Sequence, residues 1–174
     1  MKYWPFWIAG TLALALTIHI AAVQAFPHVL MAIVHRSVED QAGGVNTMLY
    51  PPRPNASSRG VVRPSPDLLY SVCAFDLAKG PVRISSPVPD SYWSISLYAS
   101  NTDNFFTLND RQTHGDTASV ILQTEDQAQS LSQGGSPVIS PTPTGLALVR
   151  ALISSDVALP EVEAAVAETS CEEI

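Results

Sequence analysis

The chain begins with a long apolar run, Trp4–Phe26, that holds no Lys, Arg, Asp or Glu. A helix rises about 1.5 Å per residue, so a run of this length can cross a hydrocarbon core of about 30 Å. Polar positions do not recur along it with the spacing of a helix that buries one face only. We therefore interpret residues 1–26 as a transmembrane anchor that contacts the lipid bilayer through Trp4–Phe26.

A cleaved signal peptide is the alternative interpretation of this run. Val23-Gln24-Ala25 has the small-x-small pattern of a cleavage site, and a mature chain would then begin at Phe26. The run exceeds the apolar core of about 7–15 residues that is usual in signal peptides, which favours an uncleaved signal-anchor. We expect a single-pass membrane protein whose domain lies on the periplasmic or other extracytoplasmic side, or a secreted one if the chain is cleaved after Ala25.

Apolar positions return with helical spacing over residues 28–42 and end at Gly43-Gly44. This predicts a juxtamembrane helix, which Pro27 could kink or separate from the anchor. The segment Tyr50–Gly60 is too rich in Pro to be helical. We assign residues 27–60 to this helix and a linker, and residues 61–174 to one extracytoplasmic domain.

Beyond the linker, short apolar runs alternate with turn signals, which is typical of a β-rich domain. Asp67–Leu77 is apolar on both alternate sets of positions, so it predicts a central strand covered on both faces. Tyr92–Tyr98 alternates between polar and apolar residues, which predicts a half-buried strand. Further strands are predicted at 82–85, 105–108, 118–123 and 145–153, an exposed loop at 127–144, and a helix from Leu159 to about Ser170.

These elements predict the fold class α+β, β-rich. The expected architecture is an N-terminal transmembrane helix followed by a small antiparallel β sandwich or barrel-like domain with a C-terminal helix. At 174 residues, the chain has room for one domain of ordinary size.

Charge and motifs narrow the range of functions. The net charge of -7 argues against a nucleic-acid-binding protein, which would carry a basic patch. The sequence shows no nucleophile elbow, no glycine-rich phosphate loop and no His-Glu-x-x-His metal motif. We expect no cofactor and no metal, and we favour a binding role over an enzymatic one.

The remaining candidate for catalysis is a polar segment around His114, the sole histidine of the domain expected at 61–174. Together with Asp110 and Arg111, it could form an acid–base cluster. A solvated turn is the simpler interpretation of the same residues.

Cys73 and Cys171 are the two cysteines of the chain. In an oxidising compartment they could form a disulfide. Alternatively, Cys73 suits a buried strand as a small apolar residue.

A set of short motifs follows in fixed order within Arg63–Pro81: Pro66, Asp67, Leu69-Tyr70-Ser71, Asp76-Leu77 and Gly80-Pro81. This order resembles the uncharacterised bacterial family of domains of unknown function numbered twelve fifty-four. The likeness covers residues 45–171. The resemblance carries no catalytic residues over to this chain.

The chain resembles the short, membrane-anchored version of this family. Longer members carry a C-terminal domain of a sister family, numbered twelve fourteen, which implies a separate sister-domain protein as the partner in trans. We therefore expect a non-catalytic, membrane-anchored module. The alternatives are a cell-envelope enzyme or enzyme subunit whose site the partner completes, and a secreted single-domain protein that binds a ligand.

Overall fold

The computed structural model of the chain describes residues 3–60, 63–113, 115–129 and 136–174. A long N-terminal helix is followed by a β-sandwich-like domain and a second helix near the C-terminus, so the fold is α+β and β-rich, as predicted. The helices are α1 (Trp4–Ala42) and α2 (Leu159–Ala167), and the strands are β1 (Met48–Leu49), β2 (Leu68–Asp76), β3 (Val82–Pro87), β4 (Trp93–Ala99), β5 (Asn104–Asn109), β6 (Thr117–Gln123), β7 (Ser136–Ile139), β8 (Thr144–Leu152) and β9 (Ser170–Glu173).

The N-terminal helix is continuous across the position where the sequence suggested a kink or a restart. Pro27 lies inside α1, where it lacks the N–H that would bond one turn back. The turns after it are held on the domain, because Met31 and Val38 are buried. The helix ends where predicted: Gly43 takes the left-handed conformation (φ 83°), and the N–H groups of Gly43 and Gly44 both donate to the carbonyl of Glu39.

In the described residues, the strands form a five-stranded sheet in the order β1-β2-β8-β4-β5 and a four-stranded sheet in the order β7-β6-β3-β9. All pairings are antiparallel except that of β6 with β7. The core lies between the two sheets, and its largest fully buried side chains include Trp93, Phe75, Leu77, Ile84, Ile95, Leu97 and Leu122.

A disulfide joins the two sheets across this core. Cys73 on β2 and Cys171 on β9 are bonded, with their Cα atoms 6.4 Å apart and a sequence separation of 98. The bond ties the C-terminal strand to the centre of the domain.

The outer face of β2 is covered by α1, which explains why this strand is apolar on both faces. Ala74 on β2 and Leu146 on β8 pack with Met31 and Val38 of the helix. On the inner face, Phe75 is completely buried in the core. The domain therefore incorporates the second part of α1 into its own packing.

Three short segments join the sheets unexpectedly. Met48–Leu49 pairs with β2, so the five-stranded sheet begins before the domain start expected at residue 61. Ser136–Ile139 forms a strand within the expected loop 127–144, at an edge of the four-stranded sheet, where Pro137 is tolerated. Ser170–Glu173 pairs with β3 as the opposite edge. These segments are too short to show a period of their own, and their neighbours impose the pairing.

Candidate functional site

The half of the outer sheet face that α1 leaves uncovered carries a line of polar side chains. In the register of the strands, Tyr70 on β2 lies opposite Arg150 on β8, Arg150 lies opposite Ser94 on β4, and Ser94 lies opposite Asn109 on β5. We call these four residues the polar row. It crosses the sheet from strand to strand.

Arg150 is the only residue of the polar row that carries a full charge. Its Nη2 donates to the hydroxyl of Ser96 at 2.9 Å. Its Nε is buried and has no hydrogen-bond partner among the described residues. A buried donor without a partner is costly to the folded chain.

The serines beneath this face differ from the prediction of a half-buried strand. Ser94 and Ser96 are 0% and 1% exposed. The hydroxyl of Tyr92 donates to Ser94 at 3.2 Å, and Arg150 donates to Ser96. The strand is therefore buried on both faces at these positions rather than half-buried, because the longer side chains of Tyr92 and Arg150 bond to the two serines and shield them from water.

The predicted residues Asp110 and Arg111 lie at the β5 end of the polar row. With Tyr92 and Asn109 they line an open hollow of about 430 Å³. The turn that places them is held by local bonds: the N–H of Asp110 donates to the carbonyl of Trp93 at 3.1 Å, and that of Arg111 to Asn109 Oδ1 at 3.0 Å. His114, the third residue of the predicted cluster, lies outside the described residues.

Arg150 and the buried serines were not singled out from the sequence. One signal was present: Arg150 is the only charged residue within the apolar segment Gly145–Ile153. A lone cation in a strand apolar on both faces indicates a polar partner on a neighbouring strand or a ligand.

A second cavity, of about 270 Å³, lies where α1 meets the ends of β4 and β8. His35 fixes the helix here, because its Nε2 donates to the carbonyl of Phe75 at 3.1 Å. Within the described ranges, no group of three or more His, Cys, Asp or Glu residues is placed to hold a metal. The residues that line this cavity are His28, Met31, Ala32, His35, Arg36, Glu39, Ser100 and Thr144.

Tyr50 connects the segment after β1 to the C-terminal part of the domain. Its hydroxyl donates to the carbonyl of Thr169, between α2 and β9. Although 46% of the residue is exposed, the hydroxyl end is partly buried, and this burial raises the pKa of Tyr50 above its ordinary value.

Among the described residues, α1 has the length and apolar composition needed to cross a membrane, and its most apolar part is 0% buried in the domain. An uncleaved anchor and a signal sequence both satisfy these criteria. The structure thus defines a class of protein: a β-sandwich-like domain carried directly on a long, exposed apolar helix.

Residues 45–173 match the family described as protein of unknown function (DUF1254), and the chain belongs to this family. The match agrees with the resemblance of the motifs in Arg63–Pro81 and with its expected extent. No curated protein matches the chain.

The fold also occurs in solved structures. The VPA0106 protein from Vibrio parahaemolyticus is similar with a TM-score of 0.65 at 13% identity over 85% of this chain. An uncharacterized protein from Burkholderia cenocepacia is similar with a TM-score of 0.53 at 14% identity, again over 85% of this chain. The chain spans 35% and 39% of the lengths of these two proteins, and at such identities the likeness establishes the fold alone.

Proposed function

We propose that this protein is a single-pass membrane protein that presents its β-rich domain outside the cytoplasm and acts by binding a separate partner rather than by catalysis. The observation that carries the proposal is the exposure of the apolar segment Trp4–Phe26. Its aromatic residues are among the most exposed of the chain, Trp4 and Trp7 both being 75% exposed. Aromatic residues at one end of an apolar helix suit the interface of a bilayer.

The disulfide supports placement outside the cytoplasm. Cysteine pairs are rarely oxidised in the cytosol but persist in the periplasm and outside the cell. Cys73 and Cys171 are bonded and buried in the core, where Cys73 is 0% exposed.

The proposed partner is a protein that carries the sister domain of the longer family members. What supports it is the polar row, which lies on the part of the sheet that α1 leaves uncovered and places Arg150 between Tyr70 and Ser94.

The test is affinity purification of the natively expressed, C-terminally tagged protein from detergent-solubilised membranes. Mass spectrometry identifies the N-terminus and the proteins that co-purify. We expect an intact Met1 and a sister-domain protein in nearly equal amount. A chain that starts at Phe26 and is found alone in the soluble extracytoplasmic fraction would contradict the proposal and support the secreted, ligand-binding alternative.

A matched pair of variants tests the polar row. Arg150→Gln removes the charge from the row, and we expect at least a tenfold loss of co-purified partner. Arg59→Gln removes a charge in the segment after β1, where Arg59 is exposed and donates to the carbonyl of Ala56. We expect it to retain the partner, and equal retention by both variants would exclude the polar row as the binding surface.

A second candidate function is an enzyme or enzyme subunit of the cell envelope. The hollow beside Tyr92 favours it, because Asp110 and Arg111 place a carboxylate and a cation there. If Asp110→Asn keeps the partner but abolishes complementation of a deletion strain, the partner-completed site is supported. Full complementation by this variant would exclude Asp110 from catalysis.

A further inference from the structure

The second part of α1 lies across the strands of the five-stranded sheet rather than along one of them. The helix packs Met31, Val34 and Val38 against residues of four different strands: Leu49 on β1, Val72 and Ala74 on β2, Leu146 on β8, and Tyr98 on β4. Neighbouring strands are about 4.8 Å apart, so these strands span about 14 Å across the sheet. The helix rises about 10 Å between Met31 and Val38, which suits a crossing.

The contacts also fix the direction of the crossing. Immediately after the helix, the chain enters β1, and Asn46 bonds to the β2 carbonyls of Ala74 and Asp76. About two turns before the helix ends, His35 bonds to Phe75 on β2. The cavity that α1 lines from His28 to Glu39 reaches Ser100, which follows β4, and Thr144, which begins β8. Since α1 crosses the strands and ends beside β1, following the helix back towards its apolar segment leads over β2 and then over β8 and β4.

The strand that continues this series is β5, an edge of the sheet. It lies about 4.8 Å beyond β4 on the side of the apolar segment. The distance along the helix is also short, because Phe26 and Met31 are separated by about 8 Å of helix axis. No loop intervenes, since Trp4–Ala42 is one helix. The domain thus has no linker on which it could move away from the end of the apolar segment.

We propose that the β5 edge of the sheet lies against the lipid headgroups of the membrane in which α1 is anchored. This inference rests on the proposed function, because it needs α1 to be the anchor. In the described part of the chain, β5 pairs with β4 alone, so its other edge presents free backbone groups. Headgroups and interfacial water satisfy these groups, and the bilayer prevents another strand from pairing there.

Two threonines make a matched pair of probes. Thr107 on β5 and Thr47 just before β1 are both exposed, and they lie at opposite edges of the sheet. Four strand spacings separate those edges by about 19 Å. Each is replaced by cysteine in the full chain, and a maleimide fluorophore labels only the new thiol, because the native cysteines are bonded to each other.

The labelled proteins are reconstituted into phosphatidylcholine vesicles that carry a headgroup spin-label quencher in both leaflets. We expect the fluorophore at Thr107→Cys to be quenched at least threefold more than that at Thr47→Cys. Equal quenching, or stronger quenching at Thr47→Cys, would overturn the inference.

Flotation of the same vesicles separates the two proposals. If the chain floats after carbonate extraction but the two labels are quenched equally, the anchor stands and the β5 orientation fails. If the chain does not float, the membrane anchor fails, and the orientation fails with it.

Discussion

Gly145, at the beginning of β8, occupies the most crowded position that the structure gives to any glycine. A Cβ atom there would overlap the carbonyl oxygen of Tyr98 and lie 2.6 Å from Phe75 Cζ. Neither neighbour can yield easily, because the first is backbone within a sheet and Phe75 is 0% exposed. The position therefore admits no side chain without displacement of the sheet or the core.

We expect Gly145→Ala to lower the free energy of unfolding by about 3 kcal/mol, the upper end of the usual cost of overpacking. Urea unfolding of the full chain in detergent measures the change. Gly60→Ala is the control, since no atom of the described residues lies within 4 Å of the corresponding Cβ. A Gly145→Ala variant as stable as Gly60→Ala would show that the sheet accommodates the methyl group.

Tyr50 makes stability depend on pH at the alkaline end. Its pKa is raised in the folded chain by burial of the hydroxyl, so the folded state holds this proton more tightly than the unfolded state. Its contribution to stability is therefore fully present below about pH 10, the ordinary tyrosine value, and is lost as pH rises through the folded pKa.

We expect Tyr50→Phe to weaken the loss of stability above about pH 10, where the pH rises through the raised pKa of Tyr50. It should also cost up to about 1 kcal/mol at neutral pH, because the hydrogen bond to Thr169 is removed. Thermal unfolding at a series of pH values measures both effects. Tyr3→Phe, at a position 71% exposed, is the control and should reproduce the unaltered profile. If Tyr50→Phe and Tyr3→Phe show the same dependence of stability on pH, Tyr50 does not have this role.

At the scale of elements, the disulfide connects strands that do not pair with each other. It joins β2 in one sheet to β9 in the other. β9 is a short edge strand at the C-terminus, and its backbone pairs with β3 alone. The disulfide therefore adds a covalent bond to a segment that this pairing would hold only weakly.

We expect the double variant Cys73→Ala, Cys171→Ala to unfold with a free energy lower by up to about 4–5 kcal/mol, the chain-entropy value for a loop of about 100 residues. Chemical unfolding with and without dithiothreitol measures it. The reductant should destabilise the unaltered protein by a similar amount and leave the double variant unchanged. A variant that retains full stability would show that packing alone holds β9 in place.

The elements that sequence reasoning located are those with long periodic patterns. The apolar positions of β2 predicted a strand covered on both faces, and the Gly43-Gly44 pair predicted the helix end. By contrast, β7 and β9 are only four residues each, and the register of neighbouring strands decides their pairing. Local pattern carries no information about such a pairing.

The same distinction between local pattern and strand register explains which residues of the candidate site the sequence predicted. Asp110 and Arg111 are adjacent in sequence, so a polar turn revealed them. The polar row has members that are distant in sequence, such as Tyr70 and Arg150, and only the strand register brings them together. The shielding of Ser94 and Ser96 likewise depends on side chains from other positions in the fold.

At the scale of the whole molecule, the helix and the domain form one packed unit. The apolar segment of α1 passes without interruption into turns that bury Met31 and Val38 on the sheet. On the opposite side of the same turns, Ile33 is 61% exposed. A charged side chain should therefore destabilise the packing of the helix on the sheet far more at the buried face than at the exposed face.

This difference yields the last prediction. Val38→Asp places a carboxylate at a position only 7% exposed, where an unpaired charge is strongly unfavourable, so we expect residues 28–42 to detach from the sheet. Hydrogen exchange of the amides in this segment should accelerate at least tenfold, equivalent to about 1.4 kcal/mol, while the β2–β8 amides keep their protection. Ile33→Asp introduces the same charge on the exposed face and should leave the exchange unchanged. If both variants exchange at the same rate, packing against the sheet does not hold α1, and the rigid connection between anchor and domain is wrong.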